Sequence, residues 1–308
     1  MNSYIKMRVA LDWTPNINHI GFFIAKEKGF YRDLDLEVEL LSPASDNYAT
    51  TPAKKVELDE SDIALCPTES VISYRTKEVP FDLLGIATIY QDDLSAIAVR
   101  SDSGIMSPRD LDGKRYASYK ARYEDQIVKQ MIINDGGEGS IEIGYPEKLS
   151  IWQTLLKEDY HSTWIFLNWE GIDVETKNID LRYFRMKDYK IPYSYSPLIV
   201  GSENHINENQ SLYVDFLSAT KKGFLYAVSH PEESVNIMRP FIPDHDADID
   251  LYRALSVSAT SYGDDSNWGH MKEEVISDFL SWIYKNNLET QQLNVQNLVT
   301  NKMLNVLS

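Results

Sequence analysis

The sequence predicts an α/β protein of two domains in a clamshell plan, with mostly parallel sheets flanked by helices. Three observations carry this reading. Short apolar runs alternate with helical patterns along most of the chain, as in successive β-α-β units. The 308 residues are long for one core and comfortable for two. The apolar stretches near 95–101 and 197–202 read as two connections between domains. They give a discontinuous first domain of residues 1–98 plus 202–308 and a second of residues 99–201. In such a plan the ligand sits in the cleft, at the carboxyl ends of the strands.

The elements follow in order. "MRVALDW" reads as a short buried strand and "HIGFFIAKEKGFY" as a helix with a glycine stop. "DLEVELL" alternates in the period of a half-buried strand. "SDIALCP" is a strand, "ESVISYRTK" a helix, and "FDLLGIATIYQDD" and "SAIAVRSD" are strands. "SPRDLDGK" opens a new unit with a short helical turn. "KRYASY" is then a strand, and "YEDQIVKQMIINDGG" a helix closed by Gly136-Gly137. "SIEIGY", a helix over "KLSIWQTLLKEDY", and "STWIFLNWEG" follow. "LRYFRMKDY" and "YSYSPLIVGSE" are further strands, and the chain beyond Asn209 is mostly helical.

Composition narrows the function. Hydrophobic residues make up 43% and charged residues 25%, ordinary for a globular protein. The net charge of −17 repels a nucleic-acid partner. Cys66, the single cysteine, allows neither an internal disulfide nor a cysteine metal cluster. No stretch approaches the length of a membrane span. "MNSYIKMRVALDW" lacks the layout of a signal peptide, so the chain as it stands reads as cytoplasmic; removal of an export signal would make it periplasmic or extracellular. The histidines form no metal motif, and "DHDADID" lacks the glycine and terminal glutamate of a calcium loop, which leaves a solvated acidic loop. No metal site and no cofactor are expected.

Five strand ends offer chemistry. After the first come Asp12-Trp13-Thr14-Pro15-Asn16, then Asn18 and His19. Trp13 brings a flat π face and the amides bring donors and acceptors, or the indole is core and the rest a turn. In "ALCPTESV", Thr68 and Glu69 either cap the next helix or enter the cleft. In "YASYKARYEDQ", Ser118, Tyr119, Arg122 and Tyr123 precede a helix. They make an anion site, or Lys120 and Arg122 are a solvated pair. "TWIFLNWEG" ends in Trp169 and Glu170, a strand-tip acceptor for an amidine-like edge or an exposed turn acid. "IPYSYSP" puts Tyr193 and Tyr195 on one face at strand spacing, to stack a ring or to pack the rim.

"LDWTPNINHIGFFIAKEKGFY" resembles the opening signature of the thiamine-pyrimidine family. That family comprises solute-binding proteins for formylaminopyrimidine and fungal synthases of hydroxymethylpyrimidine phosphate. "SDIALCPTESVISYRTK", "SGIMSPRDLDGKRYASY", "WIFLNWEG" and "WGHMKEEVISDFLSWIYKNNL" extend the resemblance over nearly the whole chain. It implies a type II periplasmic-binding-protein-like fold with a cleft for a substituted pyrimidine. Glu170 matches the family's gripping glutamate, Trp13 its tryptophan, and Tyr193 or Tyr195 a cleft tyrosine.

The synthases carry a pyridoxal-phosphate lysine and, four residues on, a histidine consumed as substrate. Here those positions are Cys66 and Ser70, and the synthases' cysteine cluster falls on the cysteine-free Pro192–Ser196. Cysteine cannot form the Schiff base. The resemblance therefore implies a monomeric binder of an aminopyrimidine, for uptake or salvage, with an ABC transporter permease as partner. A synthase-like enzyme with altered residues and a cytoplasmic ligand sensor are the alternatives.

Overall fold

A computed structural model describes residues 4–307. Met1–Ser3 and Ser308, the outer ends of the first domain as read from the sequence, lie outside them. The chain runs β1 (Ile5–Ala10), α1 (Ile20–Glu27), β2 (Leu36–Leu41), α2 (Pro52–Glu57), β3 (Ile63–Cys66), α3 (Thr68–Thr76) and β4 (Leu83–Thr88). It then crosses into β5 (Ser95–Arg100), β6 (Arg115–Ala117), α4 (Glu124–Asn134), β7 (Glu142–Gly144), β8 (Ser162–Phe166), α5 (Glu170–Thr176) and β9 (Leu181–Phe184). It returns through β10 (Leu198–Ser202) to α6 (Glu203–Glu208), α7 (Gln210–Ser229), α8 (Pro231–Met238), α9 (Leu251–Ala259), α10 (Glu273–Lys285) and α11 (Leu304–Leu307).

Two five-stranded sheets result, ordered β2-β1-β3-β10-β4 and β7-β6-β8-β5-β9. Both are mixed. β1 is parallel to β2 and β3, and β6 to β7 and β8, as β-α-β connections require. The antiparallel members are the crossing strands: β5 lies between β8 and β9, and β10 between β3 and β4. Each lobe is thus keyed by the strand that arrives from the other.

One face of the first sheet packs under α1, α7, α8 and α9, where Met7 and Val9 meet Ile20, Phe22, Phe216 and Phe224. Its other face, through Ala64, Cys66 and Val200, joins α3 and α10 and runs on into Ile97, Tyr116 and Trp164 of the second sheet. In α10, Ile276, Phe279, Leu280 and Ile283 are buried at i, i+3, i+4 and i+7, one apolar stripe. Gly136, at φ +96°, ends α4 as its glycine pair predicts. The long helical stretch breaks at His230-Pro231, because Pro231 opens α8 where no N–H is needed. The helix expected over "KLSIWQTLLKEDY" is only a 3-10 turn at Ile151–Leu155, started and stopped by left-handed Ser150 and Glu158. Among the described residues no helix is long and apolar enough to cross a membrane.

Candidate functional site

The parallel strands β1, β3, β6 and β8 deliver their carboxyl ends to the junction of the lobes. After β1, the Asn16 side chain accepts from the Asn18 N–H at 2.8 Å and caps the next turn. The Asn16 N–H donates to His19 Nδ1 at 3.2 Å, so His19 presents Nε2–H to Asp12 Oδ1 at 2.7 Å. Asn16 and His19, taken above as ligand contacts, are buried and committed to the loop itself. Trp13 stays half-buried. Its ring lies 5.7 Å from Tyr48 and 6.2 Å, edge-on, from Tyr119 of the other lobe.

After β3, Thr68 does not cap α3; Pro67 holds that place. The Thr68 hydroxyl donates instead to the Tyr195 carbonyl at 2.9 Å, pinning the returning chain. Glu69 is buried, and its Oε2 has no hydrogen-bond partner. Burial first, then the neighbouring Glu124 charge, push its carboxyl up to about 8, against the pull of the Tyr193 hydroxyl.

The β6 end corrects the expected anion site. Glu124 fills it from within: its carboxylate accepts the Tyr119 N–H at 3.0 Å, the Ala121 N–H at 3.0 Å and the Tyr116 hydroxyl at 2.7 Å. The Ser118 hydroxyl donates to Asp125 at 2.7 Å and accepts the Lys120 N–H. Arg122 leaves the cleft. It donates to Ser73 at 3.1 Å, Thr76 at 3.3 Å and Glu289 at 2.5 Å, with the Tyr123 hydroxyl beside it. Arg122 and Tyr123 therefore tie the second lobe to the first.

After β8, Asn168 Nδ2 approaches Asn18 Oδ1 and Ser258 Oγ at 2.8 Å each and Tyr90 Oη at 2.9 Å, a buried polar knot between the lobes. Asn168→Ala strands those groups without their shared donor. It is expected to lower stability by about 1–3 kcal/mol in urea unfolding, with an unchanged midpoint counting against the knot. Trp169 is buried, packs with the first lobe's core and borders the crevice between the lobes. Glu170 is not a free strand tip. It starts α5 and turns back to accept the Phe166 N–H at 2.9 Å. Burial, with Asp246 and Asp173 nearby, pushes it up to about 7.

Tyr193 and Tyr195 do not share a strand face, because strand β10 begins only at Leu198. The Tyr193 ring stands edge-on to Trp164 at 5.1 Å and Phe279 at 5.6 Å, near Glu69. The Tyr195 hydroxyl accepts the Lys272 N–H at 2.9 Å, on the far side.

Between the lobes runs a crevice of about 20 Å³, room for about one water. Trp13, Trp152, Trp169, Glu170, Asp173 and Asp246 are among its walls, and no lysine or arginine lines it. Asp173 and Asp246 escaped the sequence reading, and Asp246 comes from the loop expected to be solvated. Tyr48 escaped it too. Its φ of +60° is a strained value for a bulky residue, of the kind that clusters at functional sites, but a sequence does not display it. Among the described residues no group of side chains could hold a metal ion.

Two lobes keyed by crossing strands, with parallel strand ends meeting in a cleft, define the type II periplasmic-binding-protein class. The nitrate-binding protein NrtA from Synechocystis shares this fold at a TM-score of 0.75, covering 99% of this chain and 88% of its own at 10% identity. The chain belongs to the NMT1/THI5-like family, whose model matches residues 16–234. A formylaminopyrimidine-binding protein of Halalkalibacterium halodurans is 24% identical over 75% of this chain and 69% of its own. A 4-amino-5-hydroxymethyl-2-methylpyrimidine phosphate synthase of Legionella pneumophila is 22% identical over 77% and 74%.

Proposed function

We propose that this protein is a solute-binding protein whose lobes close on a small nitrogen heterocycle of the aminopyrimidine type. The observation that carries the reading is the cleft's make-up: the aromatic faces of Trp13 and Tyr119 beside the carboxyls of Glu170, Asp173 and Asp246, with no lysine or arginine and a single imidazole, His245, in the lining. Such walls suit a flat ring rich in N–H donors. They disfavour an anion, and the loop after β6, expected to cradle one, gives its Tyr119 and Ala121 N–H groups to Glu124. Trp13 would stack the ring and Glu170 would accept its amino edge, while Asn16, His19, Thr68, Ser118, Arg122 and Tyr195 shape the site from behind.

The name of the Halalkalibacterium relative supports the pyrimidine. A transporter permease as recipient, and a place outside the cytoplasm, belong to the same reading. Synthase chemistry draws no support from the position its lysine would take: Cys66 is buried, and burial raises its thiol far above the usual range. Titration calorimetry with formylaminopyrimidine tests the proposal. Saturable one-to-one binding is expected. Absence of heat, together with no shift in melting temperature, would overturn it.

A further inference from the structure

Tyr48 holds a backbone conformation that its side chain does not favour. It follows Asn47 in the left-handed region, at φ +60° after φ +54°. Asparagine tolerates that region and glycine enters it freely, but a bulky aromatic residue sits there under strain. The turn itself is firmly built. The Tyr48 N–H donates to the Pro43 carbonyl at 2.9 Å, and the Ala49 N–H to the Asp46 carbonyl at 3.1 Å. Asp46 is paired in turn with Lys55 of α2 at 2.7 Å. Such a turn asks only for a positive φ at position 48, which glycine would supply without strain. The strain is therefore borne for the side chain.

That side chain meets one other ring among the described residues. Its centroid lies 5.7 Å from that of Trp13, at an interplanar angle of 52°. The Tyr48 hydroxyl makes no hydrogen bond among the described residues, so the ring is the part in use.

Trp13 has few other supports. It lines the crevice, stands outside the apolar core clusters and, among the described residues, makes no hydrogen bond through its indole N–H. Two aromatic rings lie against it: Tyr48 from its own lobe, and Tyr119 from the other, edge-on at 6.2 Å. These two supports differ in kind. The crevice has room for about one water, so a ring-sized ligand enters only as the lobes part. Parting the lobes takes Tyr119 away and leaves Tyr48 in place.

We propose that Tyr48 is a positioning residue that presets the Trp13 indole as a stacking face while the cleft is open. A flat heterocycle then meets a wall already in place. An indole free to rotate would have to be ordered by the ligand, and that ordering would be subtracted from the affinity. The role toward a ligand rests on the function proposed above; the hold on the indole does not.

Two variants separate ring from backbone. Tyr48→Gly removes the ring and suits the turn, whereas Tyr48→Phe keeps the ring and removes only the hydroxyl. Fluorine NMR of fluorotryptophan-labelled protein reads the hold without any ligand, the Trp13 line being identified by its loss in Trp13→Phe. That line is expected to narrow in Tyr48→Gly, as the indole gains motion, and to keep its wild-type width in Tyr48→Phe. Wild-type width in Tyr48→Gly would overturn the proposal.

Titration calorimetry reads the consequence. Formylaminopyrimidine is expected to bind Tyr48→Gly about tenfold more weakly than wild type, and Tyr48→Phe within about twofold of it. Equal affinity in Tyr48→Gly would overturn the role toward the ligand, and an equal loss in Tyr48→Phe would assign the effect to the hydroxyl and overturn it as well. Melting curves test for a mere packing role. Tyr48→Gly is expected to melt near wild type, because released strain offsets the lost contact. A melting temperature that falls in step with affinity would make Tyr48 a packing residue and overturn the positioning. A narrowed line with no pyrimidine binding even to wild type would instead leave the preset indole standing and remove the functional assignment.

Discussion

Alanine at Trp13 is expected to weaken formylaminopyrimidine binding by about 10- to 100-fold while leaving the fold intact. A heterocycle stacked on an aromatic face is worth about 1–3 kcal/mol, and each 1.4 kcal/mol is tenfold in affinity. The indole is placed for this. It stands at the end of β1, half-buried, between Tyr48 and the other lobe's Tyr119. It belongs to none of the apolar core clusters, so its loss removes a binding face rather than a structural prop. Paired calorimetric titrations and melting curves separate the two effects. An unchanged affinity would remove Trp13 from the site, and a collapsed melting temperature would make it a core residue.

Alanine at Gly223 is expected to act in the opposite way, costing about 3 kcal/mol or more of stability without touching the cleft. α1 and α7 cross backbone to backbone at this point. A methyl on Gly223 would meet the Gly21 carbonyl oxygen at 2.0 Å, and one on Gly21 would meet the Phe224 ring at 2.1 Å. Backbone cannot rotate away as a side chain can, so the helices must part and the aromatic packing of Phe22, Phe216 and Phe224 must loosen with them. Urea unfolding measures this directly. A midpoint equal to wild type would mean the helices have slack that the geometry denies.

Much of the architecture was legible because each element declares itself locally. Alternation marked β2, the glycine pair stopped α4, and the β-α-β rhythm led to a clamshell with its cleft at the strand ends. The antiparallel strands β5 and β10 were harder, because direction within a sheet is settled by distant partners.

The site divides along the same line. Trp13 was readable as an indole ending a strand. Glu170 was readable as an acid near the cleft, but its turn back to the Phe166 N–H was not. The anion site at Ser118 and Arg122 was misread for a physical reason: the N–H groups were real, but Glu124, the first residue of α4, already holds them. Arg122 was already bound to Glu289, 167 residues away. Tyr193 and Tyr195 were paired on strand spacing in a segment that is not a strand. Residues that owe their place to tertiary contact, such as Asp246 and Tyr48, carried no local mark.

The position of β10 also dictates an order of assembly. The second sheet has all five strands once Phe184 has been made, and they come from one unbroken stretch, β5 to β9. The first sheet begins with β1 to β4, made before any strand of the second, yet β3 and β4 share no ladder until Leu198–Ser202 slides between them. Its helical cover waits longer still, since α1 docks on α7. The sheet begun first is therefore finished last. Through that interval the apolar edges of β3 and β4 stand open, a surface for chaperones to shield until the chain comes back.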